Sequence, residues 1–143
     1  MTASSLSTST ESERKPAVID ERHLERMTLG DRRLEREVLE IFVRQTAMML
    51  DRIESARPAR AAAAAHTLTG SARGIGVWRV ARAAEFLEYA AGTSALDGRN
   101  TVDDRAAEAL SEAIAELKAA CLEACAAIGV RLSGLLAEMA RDR

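Results

Sequence analysis

His66 is the residue whose type best suits group-transfer chemistry, and it lies within an alanine-rich segment of helical spacing. At about 100° per residue, Leu68 and Ala72 fall on the opposite side of such a helix, which predicts a solvent-facing imidazole. A neutral imidazole is a good nucleophile and needs no metal to act as one. The residues predicted to share the histidine's side are small apart from one arginine: Ala59, Ala62, Ala63, Thr69, Gly70 and Arg73.

Gly70 follows His66 by one helical turn, where glycine is an unexpected choice. Glycine costs about 1 kcal/mol relative to alanine inside a helix. Two interpretations remain open: Gly70 gives a partner room to approach the imidazole, or it packs tightly against another helix. The helical wheel places Gly70 on the exposed side and favours the first.

A second helix is predicted to bring Arg44 and Gln45 to the level of His66. The turn between the two helices centres near residue 56, so antiparallel pairing sets residue 66 beside residue 46. We expect Gln45 to hydrogen-bond one imidazole nitrogen and so orient the other for attack. The alternative is an ordinary solvated glutamine.

The segment around the histidine resembles the signature of histidine-containing phosphotransfer (HPt) domains. Residues 65–76 read Ala-His-Thr-Leu-Thr-Gly-Ser-Ala-Arg-Gly-Ile-Gly, similar to the family's A-H-x-L-K-G-S/A, and Leu87-Glu88 resembles the L-E of its next helix. The resemblance covers about residues 18–128. It implies a helical bundle whose histidine carries phosphate between response-regulator receiver domains or from a hybrid histidine kinase. Such domains have no ATP site and no metal of their own; the Mg²⁺ is expected on the partner receiver domain.

One position departs from the family pattern: Thr69 stands where the family usually has lysine. A cation there would favour the phosphorylated imidazole, whereas a threonine can donate one hydrogen bond but carries no charge. Arg73 on the same face, or Arg44 from the second helix, is the candidate substitute. The departure bears on the lifetime of the phosphohistidine.

Helical periodicity runs through most of the chain and predicts an all-α fold. Five segments have it, at about residues 20–28, 32–54, 58–73, 77–91 and 101–129, with Gly129 ending the last. Short loops make consecutive helices antiparallel, so we expect an up-down four-helix bundle with a short extra N-terminal helix and a possible short C-terminal helix. The predicted organisation is a disordered tail at 1–15, the bundle at 16–129, and a C-terminal tail or short helix at 130–143.

Composition excludes several classes of protein. The formal net charge of −2 argues against nucleic-acid binding. No apolar run is seen to approach the roughly 18 residues of a membrane span, and residues 1–15 do not form a signal sequence, so the expected location is cytoplasmic. Cys121 and Cys125 are interpreted as buried small residues rather than metal ligands, and no metal site is expected. His23 is expected at the surface, and Trp78 at one end of the bundle.

Together these features predict a phosphocarrier of a two-component phosphorelay that accepts phosphate on His66 from a receiver aspartate and passes it to another receiver. It would not be an enzyme in its own right, because its partners supply most of the catalysis. The apolar stripe of residues 132–139 is expected to pack back on the bundle and leave a monomer. Two alternatives are a non-phosphorylated interaction module that binds a receiver or kinase, and a chemotaxis-type kinase phosphoacceptor domain.

Overall fold

The computed structural model describes residues 17–55, 57–96 and 104–142, and these residues form helices without any strand. The all-helical class is therefore confirmed, whereas the predicted tail at 1–15 lies outside the described residues. The five helices are α1 (Glu21–Thr28), α2 (Arg32–Ser55), α3 (Pro58–Ile75), α4 (Trp78–Leu96) and α5 (Asp104–Arg141).

The break between α1 and α2 follows from local backbone chemistry. Leu29 and Gly30 both adopt left-handed φ angles, of 56° and 71°, which end α1. The Asp31 carboxylate then accepts the backbone N–H groups of Arg33 and Leu34 and satisfies two free donors at the start of α2. The predicted break between the helical segments at 20–28 and 32–54 is confirmed.

α3 begins at Pro58, as predicted, and ends two residues later than the sequence suggested. Gly74 is accommodated within the helix, and the left-handed residue that terminates it is Gly76, with φ of 81°. A Cβ at Gly76 would lie 3.0 Å from the Asp20 Cβ, so this close approach of two chain segments requires glycine. α4 likewise continues past the predicted end at Ala91, through Gly92 to Leu96.

The largest correction concerns Gly129, which does not end the last helix. α5 runs for 38 residues, so the predicted boundary at 129 and the separate C-terminal helix are wrong. A single glycine costs only about 1 kcal/mol in a helix. Burial of Ile128 and Leu135 on one side of α5, 0% and 5% exposed, together with ion pairs from Arg131 to Glu21 and Glu35, favours continuation.

The four long helices pack in a closed ring. Among the described residues, α2 and α4 each contact both α3 and α5, whereas α3 and α5 lie across the ring without close backbone contact. α1 lies against α2 and α3 at one end. The most extensive contact joins α3 to α4, since the alanines of α3 allow close approach. The core between the helices is filled by Phe42, Leu68, Leu87, Leu117 and Ile128.

One helix, residues Arg105–Arg141, is long and apolar enough to cross a membrane by length and composition. The sequence expectation that no such segment exists was therefore too strict. Only 28% of its most apolar stretch is buried within the protein. A core helix of a soluble protein passes the same test, so this feature is weak evidence for a membrane span.

Candidate functional site

His66 stands on the open side of α3, as the wheel predicts. Its side chain is 76% exposed. Leu68 and Ala72 on the opposite side are fully buried in the core, which fixes the rotation of α3 and keeps the imidazole outside. The ring is thus accessible to a second macromolecule.

Glu88 of α4 holds the imidazole from one side. Its Oε1 lies 2.8 Å from His66 Nδ1. The neighbouring Leu87 is fully buried, and this sets the next residue at the edge of α4 that faces α3. A carboxylate can only accept, so Nδ1 carries the proton and donates, and the lone pair of the ring is on Nε2. In the neutral imidazole, this geometry leaves Nε2, and not Nδ1, with a lone pair available for bonding.

Gln45 does not occupy the orienting position expected for it. It lies half-buried on α2, while the hydrogen bond to the imidazole comes from Glu88 on the other neighbouring helix. Glu88 is a functional candidate that sequence reasoning did not pair with His66. The Leu87-Glu88 signal was visible, but the register between α3 and α4 was needed to join the two residues.

Thr69 is not on the exposed surface beside His66, contrary to the wheel. It is only 5% exposed, because the α3–α4 contact covers this edge of α3. Its hydroxyl donates to the backbone carbonyl of Ala65 at 2.9 Å, one turn earlier. The hydroxyl proton that was expected to reach a phosphate is therefore already engaged within the helix.

Gly70 and Arg73 do lie on the open side of α3. A Cβ built at Gly70 meets no heavy atom within 4 Å, so the tight-packing interpretation is wrong and open space surrounds this position. The Arg73 side chain is 55% exposed, and its guanidinium pairs with Glu85 of α4 at 3.0 Å. Arg44 is exposed on α2.

His23 is more than a surface residue, which corrects the expectation. Its Nε2–H donates to the Arg73 carbonyl oxygen at 2.8 Å, and its ring centroid is 4.9 Å from that of Trp78. Trp78 Nε1 donates to the Asp20 carboxylate at 2.9 Å. That hydrogen bond, followed by the one from the His23 backbone, lowers the pKa of Asp20 below its usual value. Trp78 thus lies at this end of the bundle, as expected, and ties the start of α1 to the start of α4, while His23 ties α1 to the end of α3.

Cys121 is buried, as expected, whereas Cys125 is only partly buried. Burial raises the pKa of the Cys121 thiol to about 12 and also raises that of Cys125. Both thiols are free. In the part of the chain that the structure describes, no group of three or more His, Cys, Asp or Glu side chains is placed to hold a metal ion.

Comparison with protein families decides what this arrangement is. The Hpt domain model matches residues 37–120, which is 84 of the chain's 143 residues and spans most of α2, all of α3 and α4, and the first part of α5. The chain belongs to the Hpt domain family. Comparisons with curated proteins and with solved structures give no significant match. An Hpt domain is a histidine phosphotransfer module of phosphorelays, and the family typically interacts with response-regulator receivers and kinases.

Proposed function

We propose that this Hpt domain is a cytoplasmic phosphocarrier, an up-and-down four-helix bundle that accepts phosphate on Nε2 of His66 from a receiver aspartate. It then passes the phosphate to a second receiver. The observation that carries the proposal is the His66–Glu88 pair on an open helix face. An exposed imidazole with one nitrogen fixed by a carboxylate has its other nitrogen ready for attack.

The transfer step needs no reactant other than His66 and the aspartyl phosphate of the receiver. The Nε2 lone pair attacks the phosphorus of the aspartyl phosphate, an N–P bond forms, and the P–O bond to the aspartate breaks with its electron pair. The receiver regains a carboxylate. His66 keeps its Nδ1 proton, and the Glu88 carboxylate opposes the positive charge that develops on the ring. The reverse step delivers phosphate to the next receiver. The Mg²⁺ that assists this step is bound by the receiver in this proposal, and not by the present chain.

Three further residues have proposed roles around the phosphate. Gly70 leaves open space one turn from His66, which lets a receiver bring its aspartate close. Arg73 and Arg44 are exposed cations, and each is suited to attract an acidic receiver surface or the transferred phosphate. The burial of Thr69 leaves these arginines as the proposed replacement for the family's lysine.

The test uses receiver domains that carry radiolabelled phosphate as donors, and it measures the radiolabel transferred to the full chain. We expect an acid-labile, base-stable label that His66→Gln abolishes. His23→Gln is the matched control, since it removes the only other histidine in the sequence. The His23→Gln variant should still accept the radiolabel, in protein that circular dichroism shows to be folded. Persistent label in His66→Gln would place the acceptor elsewhere.

The same experiment separates the two alternatives. Threonine instead of lysine at position 69 is the observation that favours an interaction module without phosphorylation, which would bind receivers and accept no radiolabel from any donor. A chemotaxis-type phosphoacceptor would be labelled by ATP and a kinase domain but not by phosphorylated receivers. The proposed carrier requires label from a receiver and its onward transfer to a second one.

A further inference from the structure

Two ionic contacts join α3 to α4 on the open side of the bundle. His66 Nδ1 lies 2.8 Å from the Glu88 carboxylate, and the Arg73 guanidinium lies 3.0 Å from the Glu85 carboxylate. Glu85 and Glu88 are three residues apart on α4, a spacing that makes two helical side chains neighbours. The guanidinium is therefore held close to the imidazole, although their residues are seven positions apart in the sequence.

The Arg73 side chain extends along α3 toward His66. The earlier residue of α3 contacts the later residue of α4, so the two helices run antiparallel. Because His66 faces Glu88, the residue of α4 that is level with Arg73 is residue 81. Glu85 lies one turn further along α4, back toward His66. To reach it, the arginine leans toward the N-terminus of α3, which is the direction that helical side chains prefer.

The part of α3 that separates the two residues offers an open path. Gly70 lies between them, and a Cβ there would meet no heavy atom within 4 Å. The hydroxyls of Thr67 and Thr69 donate to backbone carbonyls one turn earlier in the helix. Arg73 is the only cation in the sequence between His66 and the end of α3. It is therefore the residue of α3 best suited to bind an anion carried on the imidazole.

We propose that Arg73 exchanges partners when His66 is phosphorylated: its guanidinium leaves Glu85 and binds the phosphoryl oxygens on Nε2. The exchange rests on the proposed phosphorylation of His66. The Arg73 and Glu85 side chains are 55% and 60% exposed, and ion pairs so exposed contribute little to stability. A phosphoryl group carries more negative charge than a carboxylate and accepts two parallel hydrogen bonds from a guanidinium. Phosphate is therefore the stronger ligand for Arg73.

Glu85 is a positioning residue in this exchange, because it acts through Arg73. In the unphosphorylated chain it keeps the guanidinium extended toward His66, while the His23 ring fixes the backbone carbonyl of Arg73 at 2.8 Å. After phosphorylation the Glu85 carboxylate is left in solvent, and Glu88 keeps its contact with Nδ1. The exchange would stabilise the phosphorylated state without a lysine at position 69.

Phosphorus-31 NMR of the full chain phosphorylated with phosphoramidate tests the exchange. This small donor needs no receiver, so the test does not depend on transfer from a receiver. The His66 signal is the one that His66→Gln lacks. A nearby cation favours the more highly charged phosphoryl form, so in Arg73→Gln the midpoint pH of this signal's titration should rise by about 0.5. The matched control is Arg79→Gln, an equal loss of charge from an ion pair between α4 and α5, which should leave the midpoint unchanged.

A double-variant cycle separates the exchange from a simple effect of charge. Glu85→Gln releases Arg73 and should lower the midpoint pH. In the Arg73→Gln background the same substitution should have a smaller effect, because no arginine is left to release. Equal effects in the two backgrounds would mean that Glu85 acts only through its own charge, and the exchange would be wrong.

The remaining outcomes distinguish this exchange from the proposed relay. An unchanged midpoint in Arg73→Gln overturns the exchange, and a rise in Arg44→Gln in its place would assign the phosphate to α2. A rise of equal size in Arg79→Gln would reduce the effect to net charge and overturn it as well. If these shifts appear as expected but no receiver labels the chain, the exchange stands and the relay fails. If phosphoramidate gives no His66 signal, both are wrong.

Discussion

The contact between His66 and Glu88 makes a quantitative prediction about the rate of phosphotransfer. Glu88→Gln keeps the shape of the side chain and removes its charge. The amide can donate as well as accept, so it fixes neither the Nδ1 proton nor the ring orientation as the carboxylate does. It also does not oppose the positive charge that develops on the imidazole during attack. We therefore expect slower transfer with an unchanged fold.

The structure sets the size of the effect. A hydrogen bond to a charged group contributes about 1.5–3 kcal/mol. The side chains of His66 and Glu88 are 76% and 36% exposed, so solvent screening places the contribution at the low end. A loss of about 1.4 kcal/mol in the transition state corresponds to a tenfold lower rate. The effect should appear in the rate at saturating phosphorylated receiver, rather than in the receiver concentration that gives half of that rate.

The matched control is Glu108→Gln, an equal change of charge at an exposed position on α5, across the ring from α3. Rapid-quench measurement of label transfer compares the two variants with the wild type. If Glu88→Gln transfers phosphate within twofold of the wild-type rate, the carboxylate does not orient His66. If both variants slow equally, the effect is one of net charge, and the reasoning from the 2.8 Å contact is refuted.

Three other predictions concern Gly70, Asp20 and the two cysteines. Gly70→Gln should keep or raise the melting temperature, since glycine costs up to about 1 kcal/mol in a helix, yet slow transfer at least about tenfold by obstructing the receiver; a wild-type rate would disprove the need for clearance. Asp20→Asn should lower the melting temperature at neutral pH, where the wild-type carboxylate is charged. Because folding lowers the pKa of Asp20, the charged carboxylate stabilises the fold at neutral pH and this stabilisation is lost on protonation. The difference in melting temperature between variant and wild type should therefore shrink as the pH falls below 3.8. With the thiol reagent DTNB, Cys125 should react before Cys121, whose pKa burial raises to about 12; equal rates would contradict the buried position of Cys121.

Much of the fold was predictable because its signals are local. The left-handed turn at Gly30, the proline at the first position of α3 and the periodic core residues each act within a few positions of the chain. The exposure of His66 followed in the same way from the positions of Leu68 and Ala72. These properties depend on helix geometry alone.

The errors arose where contacts between helices decide the outcome. Thr69 falls near His66 on a wheel, but α4 covers that edge of α3. Glu88 reaches the imidazole only because of the register between α3 and α4, and the wheel has no information on register. Gly129 is a helix breaker by propensity, yet the packing of Ile128 and Leu135 outweighs its cost.

The cluster at the end of the bundle gives the protein an intrinsic optical signal. Trp78 is the only tryptophan in the sequence. Its indole N–H donates to Asp20 and its ring contacts that of His23, and both of these residues lie at the start of α1. Indole emission responds to the polarity and quenchers around the ring. Fluorescence of the unlabelled protein therefore reports whether α1 is seated on the end of α3, separately from the melting of the bundle as a whole.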